Sequence, residues 1–116
     1  MKVLLATKKP FVSTAVNEIQ NILETAGHQF EKIEKYTEKS QLIDAIKDAD
    51  AVIIRSDIID KEVIDAASRL KLIVRAGAGY DNVDLSVASE RNICVMNTPG
   101  QNANAVAELV FGMLIY

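Results

Sequence analysis

Short apolar runs alternate along this chain with stretches whose apolar side chains recur every three or four positions. Val3-Leu4-Leu5-Ala6 is the first run and predicts a strand. Pro10 then sits where a first helical turn tolerates proline. Phe11, Ala15, Ile19, Ile22, Leu23 and Ala26 mark a helical stripe, which Gly27 closes. Residues 30–34 predict a second strand. Its alternation, with Phe30, Lys32 and Glu34 against Glu31 and Ile33, suits a poorly buried edge.

Leu42, Ile43 and Ile46 form the next helix face, reaching Asp48. Ala51-Val52-Ile53-Ile54 predicts a buried strand, 61–70 a helix and 71–74 another strand. Residues 84–91 read as a short helix with Asp84 as N-cap. Ile93-Cys94-Val95-Met96 is the fifth strand, and 103–116 the fifth helix.

Five strand-then-helix units in series imply a parallel sheet with right-handed crossovers and helices on both faces. For five strands the common doubly wound arrangement is the flavodoxin-like order 2-1-3-4-5. The weak second strand agrees with an edge position in that order. The fold class expected is therefore α/β.

Composition narrows the function classes. At 116 residues, 49% hydrophobic and 25% charged, the chain suits one globular domain and excludes disordered or repetitive architectures. No apolar run approaches the ~20 residues that cross a bilayer. MKVLLATKKP lacks the apolar length and cleavage site of a signal peptide. The single cysteine, Cys94, fits a reducing compartment, and a cytoplasmic location is expected. A net charge of -3 argues against a nucleic-acid partner.

Ligands of open parallel sheets bind outside the carboxyl ends of the strands. Here those ends carry Thr7-Lys8-Lys9, Arg55-Ser56-Asp57, Arg75-Ala76-Gly77-Ala78-Gly79 and Asn97-Thr98-Pro99-Gly100-Gln101-Asn102. The third and fourth strands should lie about 4.8 Å apart, so Arg55 and Arg75 can converge on one anion through their planar forks. Gly77 and Gly79 allow close backbone approach and a nest of N–H groups. This suggests a small ligand with more than one anionic group. Each feature also has a plain reading: solvated arginines, glycines that only turn the chain, and Asn102 as a helix cap.

Other motifs fall away. Gly77-Ala78-Gly79-Tyr80-Asp81-Asn82 starts like a dinucleotide fingerprint, but Asn82 replaces its third glycine and it follows the fourth strand rather than the first. His28, the only histidine, falls at the amino end of the second strand, away from any expected site. Cys94 reads as core rather than nucleophile. No His/Cys cluster has metal spacing, so no metal site is expected. Lys8-Lys9-Pro10 is not a flavin phosphate loop, and Thr7 and Arg55 stand where a phospho-receiver needs acids.

Two longer segments carry a resemblance. Ile73-Val74-Arg75-Ala76-Gly77-Ala78-Gly79-Tyr80-Asp81-Asn82-Val83-Asp84-Leu85 resembles the substrate loop of the D-isomer-specific 2-hydroxyacid dehydrogenases. Val95-Met96-Asn97-Thr98-Pro99-Gly100-Gln101-Asn102, followed by Ala105-Val106-Ala107-Glu108-Leu109, resembles the segment leading into their interdomain helix. Ile53-Ile54-Arg55-Ser56 is similar to the matching strand end. Together they look most like the branch of the family that oxidises 3-phosphoglycerate.

The resemblance implies a flavodoxin-like substrate (lid) domain over 1–100, with 101–116 opening a helix toward a Rossmann domain outside this chain. It implies that Ala76, Gly77 and Ala78 hold the substrate carboxylate through their backbone, and that Arg55, Ser56 and Arg75 contact the substrate, with its phosphate facing the arginines. It also implies that Asn102 faces the bound substrate. Ala78 would lie beside NAD, although many relatives have a hydroxyl side chain there. NAD would be bound mainly by the absent domain, which would also carry the catalytic arginine, glutamate and histidine.

The expected reaction is NAD-dependent oxidation of 3-phosphoglycerate to 3-phosphohydroxypyruvate, at the entry to serine synthesis. The chain alone is expected to be inactive. The parent is expected to be a homo-oligomer. The nearly all-apolar 103–116 helix, ending at Tyr116, would leave the fragment prone to dimerise. The alternative is a free-standing, non-catalytic module that binds a small phosphorylated or carboxylated metabolite.

Overall fold

Each apolar run becomes a strand that feeds two cores, one on each side of a single sheet. The computed structural model describes residues 1–8, 13–76 and 82–98, together with Ala105, Val106, Glu108, Val110 and Gly112. Its elements run β1 (Lys2–Thr7), α1 (Ser13–Thr25), β2 (Gln29–Glu34), α2 (Lys39–Ile46), β3 (Ala51–Ile54), α3 (Lys61–Ala66), β4 (Leu72–Ala76), α4 (Leu85–Glu90) and β5 (Cys94–Thr98). The five strands order as β2-β1-β3-β4-β5, all parallel. That is the expected flavodoxin-like order.

Alternation along the strands explains why their sequences are continuously apolar. Leu4, Ala6, Val52, Ile54 and Ile73 pack with Leu42, Ile46, Val63, Ile64 and Ala88 on the α2–α4 face. Val3, Leu5, Ala51, Ile53, Leu72 and Val74 pack with α1 through Ala15, Val16, Ile19 and Leu23, and with Val106 and Val110. A sheet covered on both faces has no solvent side on which to place polar residues. β2 is the exception at one edge: Glu31 and Lys32 are exposed, and Glu31 pairs with Lys2 at 2.6 Å. Charged side chains there discourage pairing with another edge.

Several boundaries differ from the periodicity. β4 runs on to Ala76, because its last residues still find partners: Ile54 and Asn97 flank Arg75, and Thr98 pairs with Ala76. β5, an edge strand, begins at Cys94 and extends through the polar Asn97 and Thr98 because these pair with Arg75 and Ala76, so half-buried Cys94 opens the strand rather than lying within it. α3 stops at Ala66 rather than residue 70, because Arg91 donates to the carbonyls of Ile64 (2.9 Å) and Ala67 (3.1 Å) and closes the helix end. Ala26 is exposed, and Val16 takes its place in the α1 stripe. Pro10, Phe11, Leu109, Phe111, Met113, Leu114 and Ile115 lie outside the described residues.

α1 ends as its sequence foretells. Gly27 has φ +88°, its N–H donates to Glu24 O at 3.0 Å, and the N–H of His28 donates to Leu23 O at 3.0 Å. This is a Schellman closure, which favours a residue without Cβ. A Cβ at position 27 would meet nothing within 4 Å, so the requirement is conformational rather than steric. Gly27→Ala is therefore expected to cost about 1 kcal/mol, seen as a lower urea midpoint at unchanged m. Gly27→Asn should recover part of it, and an unchanged midpoint for the alanine variant would refute the assignment.

Candidate functional site

The carboxyl ends of the strands form one rim, and a single buried carboxylate ties three of its loops together. Asp57, 3% exposed, sits three residues beyond β3. Its Oδ2 accepts the backbone N–H of Lys8 at 2.9 Å and the hydroxyl of Tyr36, and its Oδ1 accepts the N–H of Arg55 at 3.3 Å. A buried carboxylate is tolerated only when donors replace its water. Each of these donors comes from a strand exit: Lys8 after β1, Tyr36 after β2 and Arg55 after β3.

Tyr36 reaches this position through a turn that sequence patterns do not advertise. Lys35 takes φ 57° while its N–H holds Thr7 O at 3.0 Å, so the chain leaves β2 abruptly and points Tyr36 inward. A positive φ at a residue with a Cβ costs free energy that the surrounding structure must offset. The Tyr36–Asp57 bond and the burial of the ring do so. Lys8 Nζ lies 5.5 Å from the ring centroid, a cation–π contact over the same tyrosine.

Asn82 adds the fourth loop. Its Nδ2 donates to the Asp57 carbonyl at 2.6 Å and the Arg55 carbonyl at 3.3 Å, while its own carbonyl accepts the Ile59 N–H at 2.8 Å. Asp84 N–H returns to Ile59 O at 2.9 Å before Asp84 caps α4 through the Val87 N–H at 3.1 Å. Ala76 is thus held in β4 and Asn82 on the β3 exit loop.

The expected site residues distribute over this rim. Arg55 is half-buried immediately after β3, and Ser56 is exposed beside it. Arg75 is the penultimate residue of β4, half-buried with its Nε buried, and Ala76 is buried at the strand end. The register sets Arg75 level with Ile54, so the two arginines start one residue out of step rather than side by side. Gly77, Ala78 and Asn102 lie outside the described residues. His28 precedes β2 at the opposite, amino rim.

A cleft of about 190 Å³ opens beside Asp57, toward α2, and is lined by Lys8, Tyr36, Lys39, Leu42, Ile58 and Asp60. Lys39 is engaged there, bridging Asp60 and Glu62. The cleft does not include Arg55, Ser56 or Arg75 among its described lining residues.

A family sequence profile matches residues 9–112 of this chain; its description is D-isomer specific 2-hydroxyacid dehydrogenase, catalytic domain. The chain belongs to that family. A Staphylococcus saprophyticus protein named as a 2-hydroxyacid dehydrogenase is 40% identical over 111 residues, covering 92% of this chain and 35% of its own length. The D-3-phosphoglycerate dehydrogenase of Methanocaldococcus jannaschii is 42% identical over 78 residues, covering 66% of this chain and 15% of that enzyme. Among solved structures, the 3-phosphoglycerate dehydrogenase of Entamoeba histolytica with NAD+ bound superposes with a TM-score of 0.84 at 56% identity. That match covers 99% of this chain and 38% of the other. The chain therefore spans well under half the length of these relatives.

In a dinucleotide-binding domain the pyrophosphate lies against N–H groups just after the first strand. Here the first N–H beyond β1, that of Lys8, is held by the Asp57 carboxylate, which would repel a phosphate. The acidic residue that occupies this position is the one the rim's sequence left without a role. Its only signal was an acid within an otherwise basic rim.

Burial, and then the bond to Asp57, raise the pKa of Tyr36 well above the ordinary tyrosine value of 10.0. The folded value exceeds the unfolded one, so stability is fully present below about pH 10 and falls as pH rises beyond it, because the unfolded chain loses the proton first. Tyrosinate absorbance should therefore show a late component that appears only with unfolding and vanishes in Tyr36→Phe. Titration of all three tyrosines in the folded protein would contradict this.

Proposed function

We propose that this chain is the substrate-holding part of an NAD-dependent D-3-phosphoglycerate dehydrogenase, which interconverts 3-phosphoglycerate and 3-phosphohydroxypyruvate. The carrying observation is the pairing of β3 with β4, which brings Arg55 and Arg75 to neighbouring strand ends on one rim. A substrate with a carboxylate at one end and a phosphate at the other needs two separated anion contacts. The arginines suit the phosphate, since a guanidinium fork matches its oxygens. The backbone of Ala76, Gly77 and Ala78 suits the carboxylate, with Ser56 and Asn102 facing the rest of the substrate.

In this reading residues 1–100 form the substrate domain, and 101–116 lead toward a second domain that binds most of the NAD, with only Ala78 near the cofactor from this side. The Lys8–Asp57 bond supports that division, because it closes the β1 end to a pyrophosphate. Hydride transfer needs a cofactor held against the substrate and an acid/base beside the carbon–oxygen bond. The only histidine of the chain lies at the opposite rim, so the 116 residues alone are inactive. The similarity to the Methanocaldococcus and Entamoeba phosphoglycerate enzymes supports the choice of substrate.

Steady-state kinetics on the full-length dehydrogenase test this reading. Phosphohydroxypyruvate and hydroxypyruvate differ by one phosphate. Arg75→Ala is expected to lower kcat/KM about 30-fold for the phosphorylated substrate, the size of a lost charge-assisted contact, and less than about threefold for hydroxypyruvate. Equal losses on both substrates would remove the phosphate assignment. NADH-dependent turnover by the isolated 116-residue chain would overturn the division of labour.

A further inference from the structure

Asp57, Tyr36 and Asn82 need not touch a substrate to matter for one. The side-chain hydrogen bonds they make, apart from the Lys8 contact, converge on the two residues that flank Ser56. Asp57 Oδ1 holds the N–H of Arg55, Asn82 Nδ2 holds the carbonyl of Arg55 and the carbonyl of Asp57, and the Tyr36 hydroxyl fixes Asp57 Oδ2. Both backbone polar groups of Arg55 are thereby held from within the domain, and its half-buried side chain starts at the carboxyl rim.

We propose that these three side chains are positioning residues, which set the direction of the Arg55 guanidinium and of Ser56 toward an anionic substrate. The proposal rests on the substrate reading above. The physical argument is the geometry of a lever. Arg55 leaves β3 where strand pairing has ended, since the last register pair of β3 is Ile54 with Arg75. Its φ and ψ are therefore no longer set by the sheet ladder. A long side chain amplifies a small backbone rotation into a displacement of its guanidinium by more than hydrogen-bond tolerance, and misplacement of that size weakens substrate contacts. Two backbone bonds at Arg55, each anchored to a residue that is itself bonded elsewhere, remove that freedom before substrate arrives.

The bond pattern also identifies a discriminating substitution. In Asp57→Asn the amide oxygen can take the Oδ2 place, accepting from Lys8 and Tyr36. The amide nitrogen then stands at Oδ1 and faces the Arg55 N–H, donor against donor. The change therefore breaks the Arg55 link first and leaves the inter-loop bonds.

A double-mutant cycle in the full-length dehydrogenase, with 3-phosphoglycerate as the varied substrate, tests the proposal. Asp57→Asn is expected to raise KM about tenfold with kcat within about threefold, and Tyr36→Phe to raise KM about threefold. In an Arg55→Ala background Asp57→Asn should add less than about twofold, because the guanidinium it would misdirect is gone. Multiplicative effects, or unchanged KM in both Asp57→Asn and Tyr36→Phe, would show that the network only stabilises the fold. Where Asp57→Asn does not fold, Tyr36→Phe carries the same cycle, since it keeps the ring and removes one donor. An Arg55→Ala enzyme with wild-type KM would overturn the substrate reading and this proposal together. A raised KM there, without effect from the other variants, would overturn this proposal alone.

Discussion

A carboxylate removed from water must be met by donors, and at Asp57 that requirement is satisfied only if the exits of β1, β2 and β3 come together. Leaving one such buried acceptor unmatched costs about 1–3 kcal/mol, comparable with the effect of a core truncation. The carbonyl of the same residue then holds Asn82, which draws in the loop ahead of α4. The rim is therefore one cooperative unit rather than four independent loops. A second buried acid does related work at the amino rim: Asp50 accepts the Lys2 N–H at 2.8 Å and faces Arg69 at 3.3 Å, while its own backbone links β1 to the start of β4.

The two-sided core explains why polar groups collect at the strand ends. With apolar side chains packed against both faces, a polar group inside the sheet would lack water and partners. Only strand ends offer both exposure and rigidity. Arg55, Ser56, Arg75 and Ala76 lie at that boundary, half in the ladder and half out of it. At the same rim the first N–H beyond β1, that of Lys8, is already taken by the Asp57 carboxylate.

How much of this was legible follows from the range of each interaction. The strand runs, most of the α1 stripe, the Gly27 stop and the Asp84 cap depend on residues within about one helical turn; the cap and the stop appear where the pattern places them, and the strands and α1 do so to within a few residues. Strand order followed from connectivity and from the charged alternation of β2. The neighbouring positions of Arg55 and Arg75 then followed from strand order, although not their offset of one residue. The early end of α3 was hidden because Arg91, which closes it, lies 27 residues from Ile64. β4 and β5 ran longer than their apolar runs because their last pairs are supplied by each other.

Among the described residues, the sequence alone determined which segments are strand and helix, how the strands are ordered and that Arg55, Ser56, Arg75 and Ala76 reach the carboxyl rim, because local periodicity and chain connectivity are enough for that. It did not determine which of the 16 acidic residues would hold the rim together. The donors to Asp57 from Tyr36 and Lys8 lie 21 and 49 residues away. The desolvation that makes those bonds count exists only after the loops have closed over the carboxylate. Tertiary structure made that choice, because burial is a property of the assembled fold and not of any stretch of chain.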